Sequence, residues 1–232
     1  MNDDGGVKLP LRRAAHWSVT PMLMAAAVLA AAALVLLVAV LVKWPPLVEA
    51  DLSLHVRQVA WTSAHQWVIG PARLLSVAGV AVVIIPLVLA AAWWQWRRGR
   101  TVLAGWLAVT LASGWLVTEA VKLLVDRERP STNGLLWQAT TASFPSGHAS
   151  VSVYGYGALA VLAWWTLRVR RRGWVVAALI ALGWGIAVSR LVLGVHWTSD
   201  VVAGYLTGCV VLLLTTAWVV GVARRTNRPT EG

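Results

Sequence analysis

The chain has 232 residues, 59% of them hydrophobic and only 12% charged, whereas soluble domains carry about a quarter of their residues as Asp, Glu, Lys or Arg. That balance excludes a soluble globular domain and indicates an integral membrane protein. The net charge of +11 would suit a nucleic-acid partner only if the basic residues formed one patch, and their distribution along the chain argues against it.

Residues Met1 to Arg13 are polar and basic, as expected for a disordered or membrane-surface segment. No Asp, Glu, Lys or Arg occurs between Arg13 and Lys43, and Met22 to Val42 alone can cross a hydrocarbon core of about 30 Å. A signal peptide has a shorter apolar region, so this run is read as helix one. Trp44-Pro45-Pro46 is expected to end it. Residues Leu47 to Arg73 mix apolar positions with Glu49, Asp51, His55, Arg57 and His65 and read as a partly amphipathic interfacial segment. His55 and His65 lack a third ligand at metal-site spacing, so no metal is expected.

Helix two is predicted from Leu74 to Trp96 with a kink at Pro86, stopped by Arg97-Arg98-Gly99-Arg100. Helix three runs from Thr101 to Val125, followed by a polar loop from Asp126 to Pro145 in which Asp126, Arg127 and Glu128 are expected to be solvated. Helix four runs from Ser146 to Leu167, helix five from Trp174 to Leu193 and helix six from Trp197 to Ala223, which contains the lone Cys209 as a small apolar side chain.

The fold expected is therefore all-α: a six-transmembrane-helix bundle over 20–223, with a basic segment at 1–19 and a basic tail at 224–232. Six spans place both termini on one side. Of the 20 Lys and Arg, 13 fall in the two termini and in the connections between helices two and three and four and five, which makes that side cytoplasmic. The other seven gather with the histidines and carboxylates at the opposite face. The charge excess is topological, and no nucleic-acid partner is expected.

Three segments at that opposite face carry the chemistry. The first contains Lys122, Arg129 and Pro130; the two cations are seven apart and would share one helix face if helix three persisted. The second is Phe144-Pro145-Ser146-Gly147-His148, where Ser146 suits an N-cap, Gly147 permits close approach and the helix N-terminus favours an anion. His148 is placed to donate a proton there. The third is Ser189-Arg190, then His196 and Asp200, four apart. On one helix face the carboxylate would fix the imidazole tautomer and leave Nε2 free to attack. Arg190 offers a planar fork for a phosphate or carboxylate.

The set Lys122-(six)-Arg129-Pro130, Pro145-Ser146-Gly147-His148 and Ser189-Arg190-(five)-His196-(three)-Asp200 resembles the type 2 phosphatidic acid phosphatase superfamily, bacterial lipid phosphate phosphatases included. The resemblance implies that His196 attacks phosphorus to form a phosphohistidine, oriented by Asp200, and that His148 protonates the leaving oxygen. It implies further that Lys122, Arg129, Arg190, Ser146 and Gly147 hold the phosphoryl oxygens without a metal or other cofactor. The substrate implied is a lipid phosphate or diphosphate in a bacterial cytoplasmic membrane, with the site on the extracytoplasmic side. A phosphotransferase using the same site, and a lipid-phosphate transporter that binds without cleaving, are the alternatives. Glu119, one turn before Lys122, is expected to pair with it. No protein partner is evident from the sequence.

Overall fold

The computed structural model describes residues 4–130 and 142–226, and among them every regular element is helical. Residues 131–141 of the expected polar loop, 1–3 of the N-terminal segment and 227–232 of the tail lie outside the described residues. In chain order the elements are α1 (Asp4–Ala15), α2 (Val19–Leu41), α3 (Pro45–Ala64), a 3-10 turn (Gln66–Val68), α4 (Ile69–Ala78), α5 (Ala81–Arg97) and α6 (Thr101–Val125). They continue with α7 (Gly147–Val151), a π turn (Ser152–Tyr156), α8 (Gly157–Thr166), α9 (Val169–Val192) and α10 (Thr198–Thr226).

Helices α2, α6, α9 and α10 are each long and apolar enough to cross a membrane. The pair Gln66–Ala78 and Ala81–Arg97, bent by 47°, meets the same criterion as one broken span. The fourth expected helix is present as α7, the π turn and α8 in succession. Helix α2 lies on the outside of the bundle along α10, with Val28 and Val35 69% and 71% exposed; so apolar an outer face requires a lipid solvent.

Four expectations need correction. The break in the second predicted helix falls at Gly79–Val80, where Val80 is extended, and not at Pro86, which sits inside a continuous α5. A Cβ on Gly79 would lie 2.3 Å from Ile186 Cγ2, so this glycine lets the bend press against α9. Pro45 and Pro46 do more than terminate α2. They occupy the first turn of α3, where a missing N–H costs nothing, and the supposed interfacial segment 47–73 becomes a helix that buries Asp51, His55 and Thr62.

The N-terminal segment is likewise ordered: Asp4–Ala15 is helical, Ala14 is fully buried, and Arg13 donates to Trp165 O (3.1 Å) and Leu167 O (2.9 Å). Arg13 thereby satisfies carbonyls at the end of α8 that have no helical partner. Finally, α9 begins five residues before Trp174, taking three arginines into its first turn against the helix dipole. Arg172 is held there over the Trp164 ring, 4.2 Å from its centroid.

Chain ends meet at one end of the bundle, where Arg224 Nε donates to Ala15 O (3.1 Å). Tryptophans fill the core nearby: Trp165 packs against Trp17 and Trp106 with ring centroids 5.2 Å apart in each pair. Toward the other end, α10 comes into backbone contact with α7 and its N-cap. A Cβ on Gly204 would lie 2.5 Å from Ser146 O, and one on Gly208 would lie 2.8 Å from Ser150 O. Gly204 and Gly208 form a small-xxx-small pair of the kind that lets membrane helices approach closely. Ser150 Oγ donates across the contact to Gly204 O (3.1 Å).

This contact sets the distance between the segments bearing His148 and His196. Gly204→Ala should therefore cost about 1–3 kcal/mol and lower the melting temperature of the detergent-solubilised protein. Gly221→Ala, also in α10 but with open space around the added methyl group, should be neutral or stabilising.

Candidate active site

Helix α9 ends in a Schellman motif. Gly194 adopts φ +67° and its N–H bonds to Leu191 O (2.8 Å), while the Val195 N–H reaches Arg190 O (3.2 Å). The left-handed residue turns the chain inward, so His196, 2% exposed, stands in the short connection before α10. Asp200 lies in the first turn of α10. Its Oδ2 accepts the Trp197 N–H (2.9 Å), the carboxylate half of a capping box, and faces His196 Nδ1 at 3.4 Å. The expected His–Asp pairing is present, built by a helix start instead of by two positions on one helical face.

The tautomer follows from the partners. Arg129 Nη1 is 3.0 Å from His196 Nε2, and a guanidinium can only donate. Nε2 therefore carries the lone pair and Nδ1 the proton, directed at Asp200. Burial pushes the His196 imidazole down to about 4; the Asp200 hydrogen bond opposes this, and the charges of Arg129 and Arg190 reinforce it. At neutral pH the ring is an uncharged base.

A cavity of roughly 260 Å³ collects Lys122, Arg129, Gly147, His148, Arg190 and His196 on its wall, together with Glu119, Thr118 and Tyr154. Lys122 and Arg129 reach it by different routes, since the helix does not persist to Arg129 and the condition for a shared face is not met. Helix α6 ends at Val125 and Asp126 takes a left-handed conformation, so Arg129 approaches from a non-helical segment and also donates to Val195 O (3.0 Å). Lys122 Nζ pairs with Glu119 Oε1 at 2.8 Å, as expected, and would sit 3.1 Å from a Cβ placed on Gly147. Arg190 donates to Ser76 Oγ on α4.

Ser146 and Asp200 stand behind the cavity wall. Ser146 is fully buried; its N–H donates to Asp200 O (2.9 Å) and its Oγ accepts the Ala149 N–H (3.5 Å). It caps α7 and ties the His148 segment to the His196 segment, leaving Gly147 and His148 to face the cavity. A Cβ on Gly79 would approach His148 Cδ2 to 3.0 Å, so the α4–α5 bend forms the wall behind that ring.

Two charged residues beside this site were read differently from sequence. Arg127, expected to be solvated, donates through Nη1 to Asp200 Oδ1 and through Nη2 to Asp51 Oδ2, both at 2.8 Å. Asp51, assigned to an interfacial segment, is 3% exposed and accepts the Ser199 N–H (3.0 Å) and hydroxyl. One signal was available: Asp51, His55, Gln58 and Thr62 recur at helical spacing as a polar stripe. His55 packs on Trp197, Gln58 donates to Thr198 Oγ1 (3.2 Å) and Thr62 to Val192 O (3.0 Å). Among the described residues no three His, Cys, Asp or Glu side chains are grouped to hold a metal ion.

The model of the PAP2 superfamily matches residues 103–224, a stretch that contains all three motif segments. The chain belongs to the PAP2 superfamily. It is 30% identical over 164 residues, 69% of this chain and 78% of the relative, to Escherichia coli (strain K12) YbjG, whose name provisionally assigns it an undecaprenyl-diphosphatase activity. Its fold is similar to the crystal structure of a transmembrane PAP2-type phosphatidylglycerolphosphate phosphatase from Bacillus subtilis. The TM-score is 0.71 at 19% identity, covering 89% of this chain and 98% of that one. This PAP2 protein is accordingly a multi-pass membrane protein whose motif residues converge on one cavity.

The depressed His196 value sets a sign for acid stability. The unfolded chain takes up this proton near the ordinary histidine value of about 6.5, whereas the folded ring resists it until about 4. Over that window the unfolded state binds more protons, so His196 contributes stability that is lost as pH falls. Melting temperatures of the wild type should drop between pH 6.5 and 4 more than those of His196→Asn, measured in the same detergent.

Proposed function

We propose that this PAP2 protein is a membrane phosphatase that removes a phosphoryl group from a lipid phosphate or diphosphate through a phosphohistidine at His196. The observation that carries the reading is the direction of the His196 Nε2 lone pair: it faces a cavity walled by Lys122, Arg129, Arg190 and His148. A phosphate entering the cavity takes over the Arg129 donor that otherwise faces Nε2.

In the first step Nε2 forms a bond to phosphorus while the bond to the leaving oxygen breaks; His148, which takes up a proton from solvent once the bound phosphate offsets the charge of Lys122, Arg129 and Arg190, supplies the proton that oxygen needs. The imidazolium that results is stabilised by Asp200 through the Nδ1 proton. Charge on the equatorial oxygens is met by the three cations, which replace the metal ions used by many phosphoryl-transfer enzymes. In the second step water forms a bond to phosphorus while the Nε2–P bond breaks, and gives its proton to His148; phosphate leaves and His196 is neutral again, its Nδ1 proton still directed at Asp200.

The sidedness proposed is extracytoplasmic, with both termini in the cytoplasm and six spans between them. It is supported by the distribution of charge along the sequence, with 13 of the 20 Lys and Arg in the two terminal segments and in the connections between helices two and three and four and five, and by the cavity's place at the C-terminal ends of α6 and α9. A phosphate there lies at headgroup depth, with its hydrocarbon chain among the helices. A bacterial cytoplasmic membrane is the proposed location.

Purified protein in detergent should release phosphate from at least one of undecaprenyl diphosphate, phosphatidylglycerophosphate and phosphatidic acid, with full activity in EDTA. His196→Ala should lower release at least 10⁴-fold by analogy with loss of other catalytic nucleophiles while lipid binding persists. Undiminished release from that variant would refute the role of His196. Appearance of label in an added alcohol, without free phosphate, would assign a phosphotransferase instead.

A further inference from the structure

We propose that Asp51, on α3, is a charge-balancing residue of the active site: through Arg127 it sets the net negative charge that Asp200 presents to His196. The proposal rests on the phosphohistidine reading above, since it concerns the positive charge that His196 acquires when it attacks.

Asp200 has three polar neighbours besides the α7 backbone. Its Oδ2 serves the Trp197 N–H and His196 Nδ1, and its Oδ1 accepts Arg127 Nη1 at 2.8 Å. A guanidinium held at that distance from a fully buried carboxylate would by itself cancel the charge available to an imidazolium. The second nitrogen of the same guanidinium is bound, also at 2.8 Å, by Asp51. Two carboxylates thus share one arginine, and the buried trio Asp51, Arg127 and Asp200 carries a formal charge of −1 directly behind the nucleophile. Without the Asp51 charge the trio is neutral.

The position of Asp51 also depends on its second set of bonds. It accepts the N–H and hydroxyl of Ser199, the residue before Asp200, so the α3 carboxylate grips the first turn of α10 as well as the arginine. Farther along the same stripe, Gln58 and Thr62 bind Thr198 and Val192, on either side of His196. Helix α3 therefore both holds the nucleophile's connection and supplies its balancing charge. Asp51 does not line the substrate cavity. Its effect belongs to the chemical step, not to substrate binding.

The test compares Asp51→Asn, Arg127→Gln and the double variant with the wild type. Phosphate release from the best substrate of the wild type is measured in detergent, with KM and kcat resolved, melting temperature recorded and His196→Ala as the blank. Asn keeps the shape of Asp51 and, through its one oxygen, an acceptor for Arg127 and the Ser199 hydroxyl; it removes the charge and the acceptor of the Ser199 N–H. The expected result is a 10- to 100-fold fall in kcat with KM within about twofold. Removing the arginine as well returns the trio to −1, so the double variant should regain at least tenfold in kcat over Asp51→Asn despite losing a further ion pair.

Wild-type kcat in Asp51→Asn would overturn the proposal, as would a double variant no more active than Asp51→Asn or a defect confined to KM. If Asp51→Asn does not fold, kcat of the double variant within tenfold of the wild type supports the charge account; a larger loss overturns it. Failure of the wild type itself to release phosphate above the His196→Ala blank would instead reject the phosphatase reading.

Discussion

The dominant constraint on this molecule is electrostatic: several like-charged groups are brought together at one end of an apolar bundle, where an unpartnered charge is costly. Each described cation at the cavity has a fixed partner that does not consume its capacity to bind an anion. Lys122 leans on Glu119, Arg190 on the Ser76 hydroxyl, and Arg129 on Val195 O and the Nε2 lone pair of His196. These partners hold the guanidinium and ammonium groups toward the cavity before a ligand arrives. Preorganisation of this kind spares an arriving anion the cost of reorienting the donors it meets.

Holding the charges in place requires the helices that bear them to approach closely. Gly204 and Gly208 bring α10 against the Ser146–Val153 backbone, and the Ser146 N–H donates to Asp200 O, joining the two histidine-bearing segments directly. The Schellman turn at Gly194 supplies the remaining adjustment by directing His196 away from the axis of α9 and toward the cavity. Backbone geometry, more than side-chain reach, determines where His196 stands. The burial that results keeps its imidazole uncharged, as the proposed role in attack requires.

Much of this was legible in the sequence because hydropathy and motif spacing are local signals. The runs that became α2, α6 and α10 were located to within a few residues, and six of the eight motif residues line one cavity. The other two, Ser146 and Asp200, lie behind it. Less legible were features that depend on contact between distant segments. Arg127 reads as solvated because nothing nearby in sequence neutralises it; its partners are 76 and 73 residues away. Asp51 reads as interfacial because a polar stripe on a helix is ambiguous until the surface it faces is known. The bend at Gly79 was assigned to Pro86 because proline is the usual cause of a kink, and the packing of α9 against Gly79 is invisible locally. The arginines opening α9 read as part of the connection between helices four and five because stacking on Trp164 is a tertiary contact.

The proposed reaction rests on a covalent bond between phosphorus and His196 Nε2, formed while Asp200 holds the Nδ1 proton. Rapid quenching of the wild-type protein with a ³²P-labelled lipid phosphate, followed by peptide mapping, tests this directly. The expected result is a transient, acid-labile and base-stable label on the peptide carrying His196, formed and lost at rates compatible with turnover. Label on a different residue, or steady turnover with no protein-bound phosphate at any quench time, would contradict the account.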